Sequence, residues 1–171
     1  DEINLGVAAK PLLVVETAGK HAPHAAHLLM KLLHPARVYR YDLLKITTTL
    51  ASAFKRWSIG CDTALRRLFQ NVKVTLEQEA IGWVEVSPTN LKLCAFSDAD
   101  WRGCKMTLRS TTGVFVCIED EHTFFPLAAV SRRQTTVATS TGEAEITAAS
   151  ATVRLWGAPL AHLLHAVPPA Y

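Results

Sequence analysis

Apolar residues fall at Leu43, Ile46, Leu50, Phe54 and Trp57. Steps of three and four mark one face of an α-helix. The spacing predicts a helix over residues 42–57, ended by Gly60. Three consecutive threonines, Thr47, Thr48 and Thr49, lower its intrinsic propensity, so tertiary packing must support it. A second amphipathic helix is expected over residues 62–75, with Leu65, Leu68, Phe69 and Val72 inward and Arg66, Arg67 and Lys73 outward. The short turn at residues 58–60 makes the two an αα-hairpin. Upstream, Leu28, Leu29, Leu32 and Leu33 give a helical core face to a His/Ala-rich segment over residues 21–34. Its His21, His24 and His27 recur every third residue, which spreads them around a helix instead of converging them on a metal. Before it, an apolar run over residues 12–15 is followed by Gly19.

The period then changes. Residues 80–86 are compatible with a strand, and Ser87-Pro88-Thr89-Asn90 is a cluster of turn formers. Residues 91–97 alternate as a strand does, with Leu91, Leu93 and Ala95 on one face and Cys94 and Phe96 on the other. Further strands are expected over residues 113–118 and 123–130. Pro126 marks a bulge or an edge position in the last of these. Ser140-Thr141-Gly142-Glu143 is a capping box that opens a final helix, with Ser140 at the N-cap and Glu143 at N3. Along that helix Ile146, Ala149, Val153, Trp156, Leu160, Leu163 and Val167 form the stripe expected to lie on the sheet. Gly157 and Pro159 predict a kink or break.

Composition narrows the class. Charged residues are 19% and hydrophobic ones 49%, which excludes a disordered charged tail. Mean hydropathy is +0.15, yet no run approaches the roughly 18 apolar residues of a membrane helix. Asp1-Glu2-Ile3-Asn4 has neither the basic flank nor the apolar stretch of a signal peptide. Cys61, Cys94, Cys104 and Cys117 form no C-x-x-C pair and are read as reduced thiols of an intracellular protein. The net charge of +3 permits contact with phosphates without demanding it.

The chemistry concentrates at Phe96-Ser97-Asp98-Ala99-Asp100-Trp101 and at Glu145. A strand-end aspartate beside a helical glutamate can share a hard divalent cation, and two such ions can activate water against a phosphodiester. Glu143 already has a capping role, whereas Glu145 has none. Strand-end acids are also commonly just solvated.

Four motifs stand in one order: Ser97-Asp98-Ala99-Asp100-Trp101-Arg102-Gly103-Cys104, Arg109-Ser110-Thr111-Thr112-Gly113, Ser131-Arg132-Arg133-Gln134 and Ser140-Thr141-Gly142-Glu143-Ala144-Glu145. This succession resembles the ribonuclease H region of copia-type LTR-retrotransposon Pol polyproteins. Arg40-Tyr41-Asp42 and the helix over residues 61–75 resemble the segment that joins reverse transcriptase to ribonuclease H. The resemblance implies an α+β, ribonuclease H-like but incomplete fold: a helical segment, then a three-stranded antiparallel meander with a helix packed on it. It divides the chain into an unassigned stretch (1–36), a helical connection (37–88) and a partial β-β-β-α domain (89–171).

By the same resemblance Asp98 and Glu145 are the catalytic, metal-holding acids. Asp100 is either a further Mg²⁺ or Mn²⁺ contact or a loop carboxylate. Trp101, Arg102, Arg109, Ser110, Arg132, Arg133 and Gln134 are the nucleic-acid-binding candidates, each with an ordinary surface or turn role as the plainer alternative. The implied partners are an RNA–DNA hybrid or other nucleic acid and the rest of the Pol polyprotein, with no membrane, in the cytoplasm or nucleus. The implied parent activity is metal-dependent hydrolysis of RNA in hybrids. No Asp or Glu follows Glu145, so the family's third and fourth acids have no counterpart and this stretch alone is expected to be inactive. Ile146, Gly142 and Ala128-Ala129-Val130 depart from the family pattern. They keep open a transposon-derived binding or scaffold protein, using Arg66, Arg67 and Lys73 as well, or a decayed pseudogene product.

Overall fold

Leu29 and Leu32 fall on the inner side of a helix because they recur with Ala25 and Ala36 at steps of three and four, and all four are buried. This helix, α1 (Ala22–Val38), opens on Pro23, whose missing N–H costs nothing in a first turn. In the computed structural model, residues 17–85, 91–104 and 107–166 are described. The apolar run at 12–15, the turn at 87–90, Val86 and Val167 lie outside them. After α1 come a 3-10 turn (Tyr41–Leu43), α2 (Leu44–Ala51), a second 3-10 turn (Phe54–Arg56) and α3 (Ile59–Val74). Leu43, Leu44, Leu50, Trp57, Leu65 and Leu68 join α1's inner face in one core. Each fully buried leucine contributes about 1.5–3 kcal/mol. Residues 22–36 thus belong to the same helical layer as the residues that follow.

The helix expected over 42–57 is shorter. Thr48 and Thr49 turn their hydroxyls back to the carbonyls of Leu44 and Lys45, and the α-helix stops at Ala51. Gly60 does not end it. That glycine lies in the first turn of α3, which starts after an extended Ser58.

The sheet is an antiparallel meander in the order β1-β2-β3: β1 (Lys92–Asp100), β2 (Thr111–Asp120) and β3 (Thr123–Arg133). Asp98 faces Gly113, and Asp100 faces Thr111. Between the pairs Val116–Ala128 and Cys117–Pro126 the register shifts by one, leaving Leu127 as the extra residue of a bulge. Pro126 therefore sits both at a bulge and on an edge strand. The strand expected over 80–86 shrinks to a single bridge between Trp83 and Phe124. Their backbones exchange both hydrogen bonds, at 2.8 and 2.9 Å. The next rung would need an N–H from Pro126, which has none.

Two helical layers enclose the sheet. On one face Tyr41 sets its ring edge-on to Phe115 with centroids 5.7 Å apart, and Thr48 Oγ1 donates to Ser131 Oγ at 3.3 Å. On the other lies α4 (Thr141–Thr152), continued through a π-turn (Val153–Gly157) into α5 (Ala158–Ala166). The break expected around Gly157 and Pro159 takes this form.

The stripe expected to meet the sheet does not. Ala144, Ala148 and Thr152 are buried, while Ile146 is 72% and Val153 60% exposed. Ala144 and Ala148 share a core with Ala99 and Ala138, and so close an approach of helix to strand admits only small side chains. Alternation along β1 also differs in outcome: this strand is an edge, and Phe96 is 56% exposed. Among the described residues no helix is long and apolar enough to cross a membrane.

Candidate functional site

The four motifs converge on one end of the sheet. Asp100, Thr111 and Arg133 stand side by side across the three strands. Just beyond them, Gln134 N–H donates to the Ser110 carbonyl at 2.8 Å. The Gln134 side-chain amide donates to Thr112 Oγ1 at 3.1 Å and to the Ala144 carbonyl at 2.9 Å. Its amide thereby ties the end of β3 to β2 and to the first turn of α4. Gln134 is buried, and its Oε1 has no partner among the described residues. Ser110 is fully buried and its hydroxyl accepts from Arg102 N–H at 3.3 Å. These two side chains make internal bonds, whereas Trp101, Arg102, Arg109 and Arg132 face solvent and Arg133 is half-buried.

The turn after β1 is shaped by close approach. Arg102 adopts φ 51°, and its guanidinium lies 4.6 Å over the Trp101 ring, a cation–π geometry. The Trp101 indole donates to the Ala138 carbonyl at 3.3 Å. A Cβ at Gly103 would lie 2.6 Å from Asp100 Cγ, so only glycine lets that carboxylate fold over the turn.

Asp98 and Asp100, two residues apart, project from the same face of β1. Both line a cleft of about 330 Å³ between α2 and the sheet, with Tyr41, Lys45, Phe115 and Ser131 among its walls. Lys45 Nζ reaches Asp100 Oδ2 at 2.9 Å. Burial against this cleft raises the Tyr41 hydroxyl above its ordinary pKa. Sequence reasoning did not single out either side chain for a site. Lys45 stands in no motif, Tyr41 is only the middle residue of Arg40-Tyr41-Asp42, and their partners here lie tens of residues away.

Ala99, between the two aspartates, points the other way, into the Ala144 and Ala148 contact. Asp98 thus leaves β1 on the face opposite the one on which α4 carries the half-exposed Glu145. The structure joins Asp98 with Asp100 and Lys45, and it does not gather Asp98, Asp100 and Glu145 into one cluster. Among the described residues no group of three His, Cys, Asp or Glu could hold a metal ion. With Asp98 and Glu145 on opposite sides of β1, the two carboxylates do not converge on one Mg²⁺ ion.

At the start of α4 the cap forms. Ser140 Oγ accepts from Glu143 N–H at 3.2 Å. Glu143 reaches one residue further back than a standard capping box, to Thr139 N–H at 2.6 Å and Thr139 Oγ1 at 2.8 Å. These bonds hold its carboxyl below the usual range.

Arg40 and Asp42, at the other resemblance motif, are architectural. The buried Arg40 makes a two-pronged bond to Asp42, at 2.9 and 2.8 Å, and reaches the Thr75 carbonyl and hydroxyl at 2.9 and 2.8 Å. It clamps the end of α1 to the end of α3.

No family model, curated protein or solved structure matches the chain.

Proposed function

We propose that this chain is a piece of a copia-type retrotransposon Pol polyprotein, comprising a helical connection and the β-β-β-α half of a ribonuclease H-like domain. What supports the reading most is that four motifs spread over residues 97–145 fall at one end of a three-stranded meander and on the start of the helix packed against it. The parent activity would be Mg²⁺- or Mn²⁺-dependent hydrolysis of the RNA strand of an RNA–DNA hybrid. By the resemblance Asp98 and Glu145 stand at the positions of that parent's metal-holding acids, although in this chain the two lie on opposite sides of β1.

No Asp or Glu follows Glu145, so the family's third and fourth acids have no counterpart, and the proposal is that this polypeptide by itself does not cleave. Incubated with an end-labelled hybrid and Mg²⁺ or Mn²⁺, it leaves the RNA intact on a gel. Cleavage that disappears in Asp98→Asn and Glu145→Gln variants would overturn this.

A further inference from the structure

The two outer strands of the sheet are finished differently. β3 is blunted: it carries the bulge at Leu127, Pro126 has no N–H, and Trp83 already bridges Phe124. β1 has none of these devices. Its nine residues pair with β2 in unbroken register from Lys92–Glu119 to Asp100–Thr111, and none of them is proline. Among the described residues no strand lies along the outer side of β1. Alternate N–H and C=O groups therefore point outward and offer a template to another strand. In mid-strand Ala95, Phe96, Ser97 and Asp98 are all exposed, although they belong to both faces.

The charges of β1 decide how it can pair with itself. Lys92, Cys94, Phe96, Asp98 and Asp100 share one face. Parallel pairing in register would set Lys92, Asp98 and Asp100 each beside the same residue of a second copy, and like charges across a strand pair are destabilising. Antiparallel pairing about a two-fold axis at Phe96 reverses this. Lys92 then faces Asp100 of the second copy at both ends, Asp98 lies diagonal to the same lysine, and every residue of the strand is used. Moving the axis to Ala95 leaves Asp100 beyond the end of the strand, and moving it to Ser97 does the same to Lys92. Asp100 already gives Oδ2 to Lys45, but a carboxylate accepts at both oxygens.

The aromatic side chains favour the same axis. Tyr41 meets Phe115 with centroids 5.7 Å apart, and Phe115 meets Phe96 at 6.4 Å. This row of rings stops at the exposed edge. With the axis at Phe96 it continues through a directly opposed Phe96 pair into the second copy, a favourable cross-strand contact. On the opposite face the π-turn packs on β1 and leaves Val153 and Leu155 exposed, apolar area available to the joint. We infer that β1 is a self-recognition edge: two copies of this chain join β1 to β1, antiparallel about Phe96, into one six-stranded sheet. The contact is isologous, so it closes as a dimer, and the blunted β3 edges stop the sheet from growing further. The pairing needs neither metal nor nucleic acid, so a failed cleavage assay leaves it intact.

The test is sedimentation velocity of the full chain from about 1 μM to 1 mM. A monomer–dimer equilibrium is expected, with no larger species. Phe96→Lys puts two like charges on the axis and should weaken dimerisation about tenfold or more. Lys92→Asp sets acid against acid at both ends, and Asp100→Lys sets lysine against lysine. Each of these alone should stay monomeric where the parent chain is dimeric. Mixed in equal amounts, the two should form a heterodimer, because each supplies the charge that the other lacks. Circular dichroism shows whether each variant is folded, and mixing would not repair a merely structural defect. A parent chain that stays monomeric throughout would overturn the inference. So would a dimer untouched by Phe96→Lys, association into larger species, or a mixture of folded charge variants that does not pair.

Discussion

Lys45 Nζ and Asp100 Oδ2 lie 2.9 Å apart and join α2 to the last residue of β1. Both side chains are well exposed, 70% and 40%, and exposed pairs contribute about 0–1 kcal/mol. Lys45→Met should therefore shift the urea midpoint only slightly. The glycine behind the pair acts through the same carboxyl. Gly103→Ala displaces the exposed Asp100 carboxyl, which can swing into solvent, and should cost no more than about 1 kcal/mol. Adding Asp100→Ala should recover most of that loss, a coupling read directly from a double-mutant cycle in denaturant.

Arg40 is a different case because its guanidinium is buried with four hydrogen bonds. Arg40→Met leaves Thr75 and Asp42 without their donor, and Asp42 is near enough to water to rehydrate. The expected loss is about 2–4 kcal/mol in denaturant unfolding. Arg40→Lys should restore less than half of it, since one ammonium cannot span the fork.

Acid should weaken the helical layer. The Arg40 guanidinium holds the Asp42 carboxyl below its ordinary range. The Trp57 indole, then the His21 and Lys20 amides, do the same for Asp62. A lowered folded-state pKa means that the unfolded chain binds more protons through that range, so stability rises with pH there. The stabilisation is present above the ordinary carboxylate pKa and is lost as pH falls through the lowered values. Urea midpoints measured from about pH 2 to 6 should climb in the parent chain and climb less in Asp42→Asn and Asp62→Asn. An unchanged slope in both variants would count against these assignments.

The face of α4 that meets the sheet predicts an asymmetry. Ala148→Leu overfills the contact with Ala99 and should cost about 1–3 kcal/mol or more. Ile146→Ala, on the outer side, should stay within about 0.5 kcal/mol. A sheet-facing Ile146 would give the reverse order in thermal denaturation.

Cys94 should be slow to alkylate. Its thiol donates to Glu119 Oε1 at 2.8 Å, and that bond together with partial burial pushes its pKa up to about 11. Two units above an ordinary thiol leave about a hundredfold less thiolate near neutral pH. Mass spectrometry after a timed iodoacetamide pulse should find Cys94 modified faster in a Glu119→Gln variant than in the parent chain.

Local chemistry was legible in the sequence where local bonds decide it. Ser140 and Glu143 sit at the start of α4 because a cap is made by residues three apart. Pro126 falls at the bulge because a missing N–H disrupts any ladder. Elements whose outcome depends on distant partners read differently. The small-residue face of α4 was hidden because the larger Ile146 and Val153 made a more conspicuous stripe, and only the nearness of Ala99 selects alanine. The helix over 42–57 stops early because threonine hydroxyls and the pull of Asp62 on Trp57 work across its end. Asp98 stood out by its motif, yet its face is set by the pleat of β1, and so it lines the cleft that Asp100 and Lys45 also line.

Asp62 also settles something about the chain's connectivity. Its carboxylate holds the backbone of Lys20 and His21, some forty positions earlier, while Gly19 N–H donates to the Trp57 carbonyl. The stretch between is a closed loop, tied at its mouth and lined by shared core. A single protease cut within it, for instance after the exposed Lys55, would therefore sever the covalent chain without releasing either piece. The two fragments should comigrate on a native gel and separate only in denaturant.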